Sequence, residues 1–231
     1  MGSIIENDHM QKPPPFHLTE VDRQILAQTD DEFVFHDWDE LRDILGRNDL
    51  AALRRKPSDL RRYMAWTTDI KTAYGSITNY ICQKRLHWTS ASSPDIAQIK
   101  YNNPTPFADA SDYRVLRNDW PYGLTPDISH IVVWSKTPIA TKPENGDVTD
   151  ESRAIIEAFV DRTFVRRLQN HQAFAGLTKD AIREQNILWF KNWTALQSVR
   201  SLEHFHLLVR GIPDEIITEW TKEEGVVQDI L

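Results

Sequence analysis

His204-Phe205-His206-Leu207-Leu208-Val209-Arg210 is the stretch whose reading decides the fold. Successive side chains of a β-strand point to opposite faces, so His204 and His206 share one face and Phe205, Leu207 and Val209 the other. The second face is apolar enough to bury in a core. Two imidazoles side by side on a rigid element suit nucleophilic or acid/base chemistry, because histidine titrates near neutral pH. The plainer alternative is a half-exposed strand whose histidines only hydrogen-bond the backbone. Glu203 and Arg210, flanking the pair, favour the functional reading and make Glu203 a third candidate. No metal is expected, since two imidazoles need a further ligand and no cysteine or spaced carboxylate supplies it.

Working outward, Ile187–Phe190, His130–Lys136 and Tyr113–Leu116 also read as strands. Between them, Asp150 is expected to cap a long helix from Glu151 to about Gln169. Leu177–Glu184 reads as a short helix, and Pro213 opens a last helix from Asp214 to Lys222. The first ninety residues read as helical. Thr19 caps Leu18–Gln28, Asp37 caps Trp38–Asn48, Leu50–Arg55 is short, and Ser58 caps the longest signal, Ser58–Lys84. The expectation is therefore an α+β fold: an N-terminal helical layer (17–90) packed on an antiparallel sheet (113–210) with one long helix. Residues 17–231 form a single domain, and 1–16, ending in Lys12-Pro13-Pro14-Pro15, read as a disordered tail.

Composition narrows the function classes. The chain has 231 residues, 40% of them apolar, with eight tryptophans against eight glycines. That scarcity of glycine argues against a glycine-loop nucleotide site. One cysteine, Cys82, excludes an internal disulfide and suggests a reducing, cytoplasmic setting. No secretory leader or membrane-length apolar run is seen. A net charge of −7 disfavours broad nucleic-acid coating but permits a local basic patch.

Further candidate residues lie in Asn118-Asp119-Trp120-Pro121-Tyr122-Gly123. Turn chemistry alone explains Asn, Asp, Pro and Gly. The two aromatics add a functional reading in which Asp119, Trp120 and Tyr122 rim a substrate pocket. Asp119 would hold an ammonium or guanidinium, and Trp120 would stack on it. His130 opens its strand, and Asn192 follows Trp189-Phe190. Each is a candidate substrate contact, or simply a loop-bonded residue. Arg54-Arg55-Lys56 with Arg61-Arg62 places five cations in nine residues, either a solvated helix face or a phosphate-contacting patch.

Two resemblances follow from these motifs. Asn118-Asp119-Trp120-Pro121-Tyr122, His130-Ile131-Val132-Val133, Asn192, Gln197-Ser198-Val199 and His204-Phe205-His206 resemble the core of the histidine-triad superfamily of nucleotide hydrolases and transferases. Leu208 stands where a third histidine is expected. That register makes His206 the nucleophile, and a slipped strand makes it His204.

A narrower likeness is carried by Trp38-Asp39-Glu40-Leu41, Arg54 to Leu60, Tyr74-Gly75-Ser76-Ile77, Arg85-Leu86-His87-Trp88, Asn118 to Tyr122 and His130 to Lys136. These resemble the fungal family named for N-acetylglucosamine-induced proteins, over about residues 33–210. That family takes in arginine-containing cyclodipeptide synthases of fungal secondary metabolism. The resemblance thus implies an aminoacyltransferase that joins arginine and a second amino acid, from aminoacyl-tRNAs, into a diketopiperazine. An acidic Asp-Asp-x-x-Glu motif is associated with those synthases; here Asp30-Asp31-Glu32 stands instead. Under this reading Asp119 and Glu203 hold the arginyl group, His204 or His206 acts as base or acyl acceptor, and the five cations contact the tRNA backbone. Aminoacyl esters are already activated, so no cofactor is expected. The alternatives are a histidine-triad-like nucleotide hydrolase or transferase, and a non-enzymatic sugar- or stress-response protein.

Overall fold

The computed structural model describes residues 14, 16, 18–93 and 95–223. Strands β1 (Tyr113–Arg117), β2 (Ile128–Ser135), β3 (Ile187–Phe190) and β4 (Glu203–Arg210) form one antiparallel sheet in the order β1-β2-β4-β3. The histidine strand β4 is therefore central, between β2 and β3. Its register sets Trp134 opposite His204, Val132 opposite His206, and Ile131 opposite Leu207. The fold is α+β, as expected; of the expected tail, only Pro14 and Phe16 fall among the described residues.

Alternation gives the sheet two buried faces rather than one. Ile131, Val133, Phe205, Leu207 and Val209 pack in one core with the C-terminal helices. Those helices are α5 (Asp150–Val160), continued through a π-helical turn at Asp161–Val165 into α6 (Arg166–Gln169), then α7 (Lys179–Asn186) and α8 (Asp214–Thr221). Phe159, Phe164 and Phe205 are fully buried there, and each such ring contributes about 1.5–3 kcal/mol.

The other sheet face meets the N-terminal helices. These are α1 (Glu20–Leu26), α2 (Trp38–Gly46), α3 (Pro57–Tyr74) and α4 (Ile77–Tyr80), which runs on as a π-helical turn at Ile81–Arg85. Because this layer covers the histidine face, the half-exposed strand does not occur: His204 and His206 are both buried. Leu208 has the same cause. It lies fully buried in a cluster with Trp38 and Leu41 of α2, where an imidazole would lack water.

The helix starts follow local chemistry, with three corrections. Thr19 and Asp22 form a reciprocal capping box for α1, and the Asp37 carboxylate accepts the Glu40 N–H at 2.9 Å to start α2. Ser58 is not the cap of the long helix. Pro57 occupies its first turn, and the Ser58 N–H instead donates to the Asp30 carboxylate at 2.8 Å. The expected span 58–84 also breaks at Gly75, which takes a left-handed φ of 77°; the Ser76 hydroxyl then caps α4. Thr149, not Asp150, caps α5, leaving Asp150 in the first turn, where its charge favours the helix N-terminus. No helix among the described residues is long and apolar enough to cross a membrane.

Candidate functional site

The cavity between the histidine face of the sheet and the N-terminal layer collects most of the candidate residues. Its walls include Trp134, His204 and His206 from the sheet; Asn118, Asp119, Trp120 and Tyr122 from the β1–β2 connection; and Asn192, Gln197 and Ser198 from the β3–β4 connection. Arg55, Tyr63, Trp66 and Arg85 close it from the helical side. Its interior volume is about 120 Å³, inside about 790 Å³ that includes the solvent at its open mouth.

The two strand histidines differ in what their nitrogens do. His204 Nδ1 lies 2.9 Å from the carbonyl oxygen of Leu202, two residues back along the chain. A carbonyl only accepts, so Nδ1 carries the proton and Nε2 keeps its lone pair. Nε2 has no hydrogen-bond partner among the described residues. The ring is held by the Trp134 indole, with centroids 4.5 Å apart. His206 has both nitrogens engaged. Its Nε2 lies 3.2 Å from the Asn192 amide nitrogen and its Nδ1 lies 2.9 Å from His130 Nε2. The Phe190 ring stacks on His206 at 4.8 Å. His206 is thus a member of a hydrogen-bonded wall, and His204 is the histidine with a reactive nitrogen turned to the cavity.

His130 is tied in from the second strand. The Asn118 amide nitrogen lies 3.1 Å from its Nε2, while the Asn118 amide oxygen accepts the Trp120 N–H at 2.9 Å. Tyr122 stacks on the His130 ring at 5.3 Å, and Asn192 also donates to the Tyr122 hydroxyl at 3.3 Å. Burial dominates the titration of all three imidazoles, because charging them would cost solvation. It pushes His130 down to about 3 and His204 down to about 4, and holds His206 well below the usual histidine range. All three rings are neutral at pH 7.

Asp119 lies at the cavity wall but already has a partner. The Arg85 Nε donates to it at 2.9 Å, and a second Arg85 nitrogen lies 2.8 Å away. Arg85 also pairs with Glu223 at 2.5 Å. Burial raises the Asp119 carboxyl above its ordinary range, against the pull of Arg85. The expected capture of a substrate guanidinium by Asp119 meets a guanidinium already there.

Glu203 is not brought to the site. By strand alternation it lies on the Phe205 face, where it pairs with the buried Lys191 at 3.2 Å. Each of the five cations has a partner within the fold. Arg54 pairs with Glu40, Lys56 with Asp30 and Arg62 with Asp59, while Arg61 donates to the Leu26 carbonyl. Arg55 alone of the five lines the cavity, donating to the Trp120 carbonyl and lying over the rings of Tyr63 and Tyr122. The acidic run Asp30-Asp31-Glu32 is structural in part: Asp30 starts α3, and Glu32 completes a capping box with Thr29.

Sequence reasoning missed Trp134, the pairing of Arg85 with Asp119 and the Tyr63–Ser198 hydrogen bond of 2.7 Å. Trp134 was accessible in principle, since it lies four residues from His130 on the same strand face. Among the described residues, no three His, Cys, Asp or Glu side chains are grouped so as to hold a metal ion.

Fold and site together define an α+β protein with a buried histidine at the floor of an aromatic cavity. The chain belongs to the family described as protein of unknown function (DUF3605), which it matches over residues 37–210. It is 28% identical to N-acetylglucosamine-induced protein 1 of Candida albicans, over 79% of this chain and 71% of that one. It is 27% identical to the uncharacterized protein YPL067C of Saccharomyces cerevisiae, over 84% and 87% of the two chains. Among solved structures, the crystal structure of HTC1 is similar with a TM-score of 0.55 and 25% identity, covering 80% of this chain and 91% of that one. The expected likeness to fungal N-acetylglucosamine-induced proteins therefore holds. The relatives' names state induction or nothing, and none states a chemistry.

Proposed function

We propose that the protein is an aminoacyltransferase that draws on charged tRNAs, as in the arginine-containing cyclodipeptide synthases that its motifs resemble, and that His204 carries the acyl group here. The observation that carries this reading is the His204 ring: Nδ1–H held by the Leu202 carbonyl, Nε2 free, inside an aromatic cavity. Burial keeps that nitrogen unprotonated at neutral pH, which suits a nucleophile more than a base. Nε2 attacks the ester carbonyl of arginyl-tRNA, the acyl–oxygen bond breaks, and the 3′-oxygen leaves as a hydroxyl with the proton that the ring loses. The amine of a second aminoacyl-tRNA then attacks the acyl-imidazole, forming the peptide bond and returning a proton to the ring. Finally the arginyl α-amine attacks the remaining ester, closing the diketopiperazine as its proton passes to the second 3′-oxygen. The activated esters supply the driving force, and no cofactor enters.

Under this reading Arg55 meets the 3′ end of the tRNA at the cavity mouth, and the cytoplasm, where charged tRNA resides, is the location. Incubation with arginyl-tRNA and a second charged tRNA should yield an arginine-containing diketopiperazine by mass spectrometry. Release of free amino acids alone would refute it, and inertness toward every charged tRNA would leave the non-enzymatic reading.

A second reading, a histidine-triad-like nucleotide hydrolase or transferase, is favoured by one observation. The His130 and His206 rings meet diagonally across the β2–β4 pair, Nε2 to Nδ1 at 2.9 Å, beside Asn118 and Asn192. There the expected nucleophile on an α-phosphate is His206, and because both its nitrogens are engaged the attack would fall to His204. Release of AMP from an adenosine phosphoramidate would support it.

A further inference from the structure

Three polar atoms of cavity-lining residues are buried without a partner among the described residues: the Asn192 amide oxygen, the Trp120 indole N–H and the Arg117 Nε–H. The Arg117 guanidinium is already anchored to Asp214 and Thr218 through another nitrogen, so the first two carry the argument. Asn192 is 6% exposed and Trp120 9% exposed, and both residues line the cavity. A buried unpaired acceptor or donor costs about 1–3 kcal/mol, and folded proteins retain few of them. The pair is therefore a complement waiting for a ligand that brings one donor and one acceptor.

The position of the acceptor narrows the ligand. Asn192 touches His206, whose ring centroid lies 5.5 Å from that of His204. Its amide nitrogen is spent on His206 and Tyr122, which leaves the oxygen for the ligand. The diesterified α-phosphate of a dinucleotide offers acceptors only, and would set oxygen against oxygen. An α-amino ester offers an N–H two bonds from the carbonyl that His204 would attack, and a carbonyl oxygen as acceptor.

We propose that Asn192 and Trp120 are specificity residues for an α-amino acyl group, with the Asn192 amide oxygen accepting the substrate's amine N–H and the Trp120 indole donating to its acyl oxygen. This rests on the aminoacyl reading of the site and adds which atoms tell an aminoacyl group from other esters and from phosphate diesters.

The test uses the full chain and two uncleavable probes: 3′-deoxy-3′-(arginylamino)adenosine, and the same molecule with hydrogen in place of the α-amino group. Binding is followed by tryptophan fluorescence and calorimetry. The wild-type chain should bind the amino probe tenfold or more tightly than the desamino one, about the discrimination expected when a site built for an N–H is left unpaired. Asn192→Leu should erase that preference and Asn192→Asp should keep it. Trp120→Phe should weaken both probes alike. Equal wild-type affinity for the two probes overturns the inference and leaves the aminoacyl reading standing. Failure of both probes to bind overturns the reading as well. If Asn192→Leu does not fold, the wild-type pair of affinities and the Asn192→Asp variant still decide.

Discussion

Replacing His206 with alanine separates the two strand histidines by what each one holds. His206 joins His130 Nε2 at 2.9 Å and the Asn192 amide at 3.2 Å. Truncation leaves both groups buried without that partner, at about 1–3 kcal/mol each. Losing the stack on Phe190 at 4.8 Å adds about 0.5–1.5 kcal/mol. The sum is about 2.5–7.5 kcal/mol, a large part of a typical domain's stability. His204→Ala loses one bond to a carbonyl and a stack on Trp134, but its space adjoins the open cavity, where water enters. Its cost is about 1–2 kcal/mol. Urea unfolding followed by tryptophan fluorescence measures both. With a slope of about 2–3 kcal/mol per molar, His206→Ala should lower the midpoint by roughly 1–3 M and His204→Ala by less than 1 M. Equal shifts, or a His206→Ala shift below that of His204→Ala, would refute the assignment of His206 to the wall and His204 to the open cavity.

Further expectations follow from the same geometry. His130, His204 and His206 titrate below their unfolded values, so the unfolded chain takes up protons first as pH falls. The stability they contribute is full above about pH 6.5 and is lost progressively toward pH 3–4. Between pH 6.5 and 5 each ring should cost roughly 1.5 kcal/mol, read as a falling urea midpoint; a flat profile would contradict their burial as neutral rings. Gly123→Ala would drive a Cβ to 2.4 Å from the Phe33 ring, with the Lys56 backbone 3.3 Å away. It should cost about 1–3 kcal/mol by thermal melt, and a silent substitution would mean that the β1–β2 connection is looser than described. Glu203→Gln should lower stability by about 2–4 kcal/mol, because Lys191 loses its buried partner. Turnover per folded molecule should be unchanged, and a turnover loss without destabilisation would return Glu203 to the chemistry.

The strands were legible because alternation survives burial. Phe205, Leu207 and Val209 against His204 and His206 mark the two faces of β4 whichever layer covers them. The helix starts were legible to within a residue where a side-chain cap acts locally, as at Thr19 and Asp37. They failed where the cap came from elsewhere, as with Asp30 reaching Ser58 across 28 positions. The site was legible as a set of residue types and not as a set of bonds. The His130–His206 contact spans 76 positions and Tyr63–Ser198 spans 135, and no local periodicity encodes such pairs. The five cations show the same limit. Their charges are local in sequence, but the groups that engage them, such as Asp30, Glu40 and the Leu26 and Trp120 carbonyls, are brought to them by the fold.

The most direct test of the central claim is to quench a single turnover of arginyl-tRNA in acid and map the modified peptide by mass spectrometry. The account predicts an added arginyl residue on the peptide containing His204, absent from His204→Ala, which should remain folded and make no diketopiperazine. A wild-type chain that forms product with no adduct at His204, or a His204→Ala chain that forms it at an undiminished rate, would contradict it.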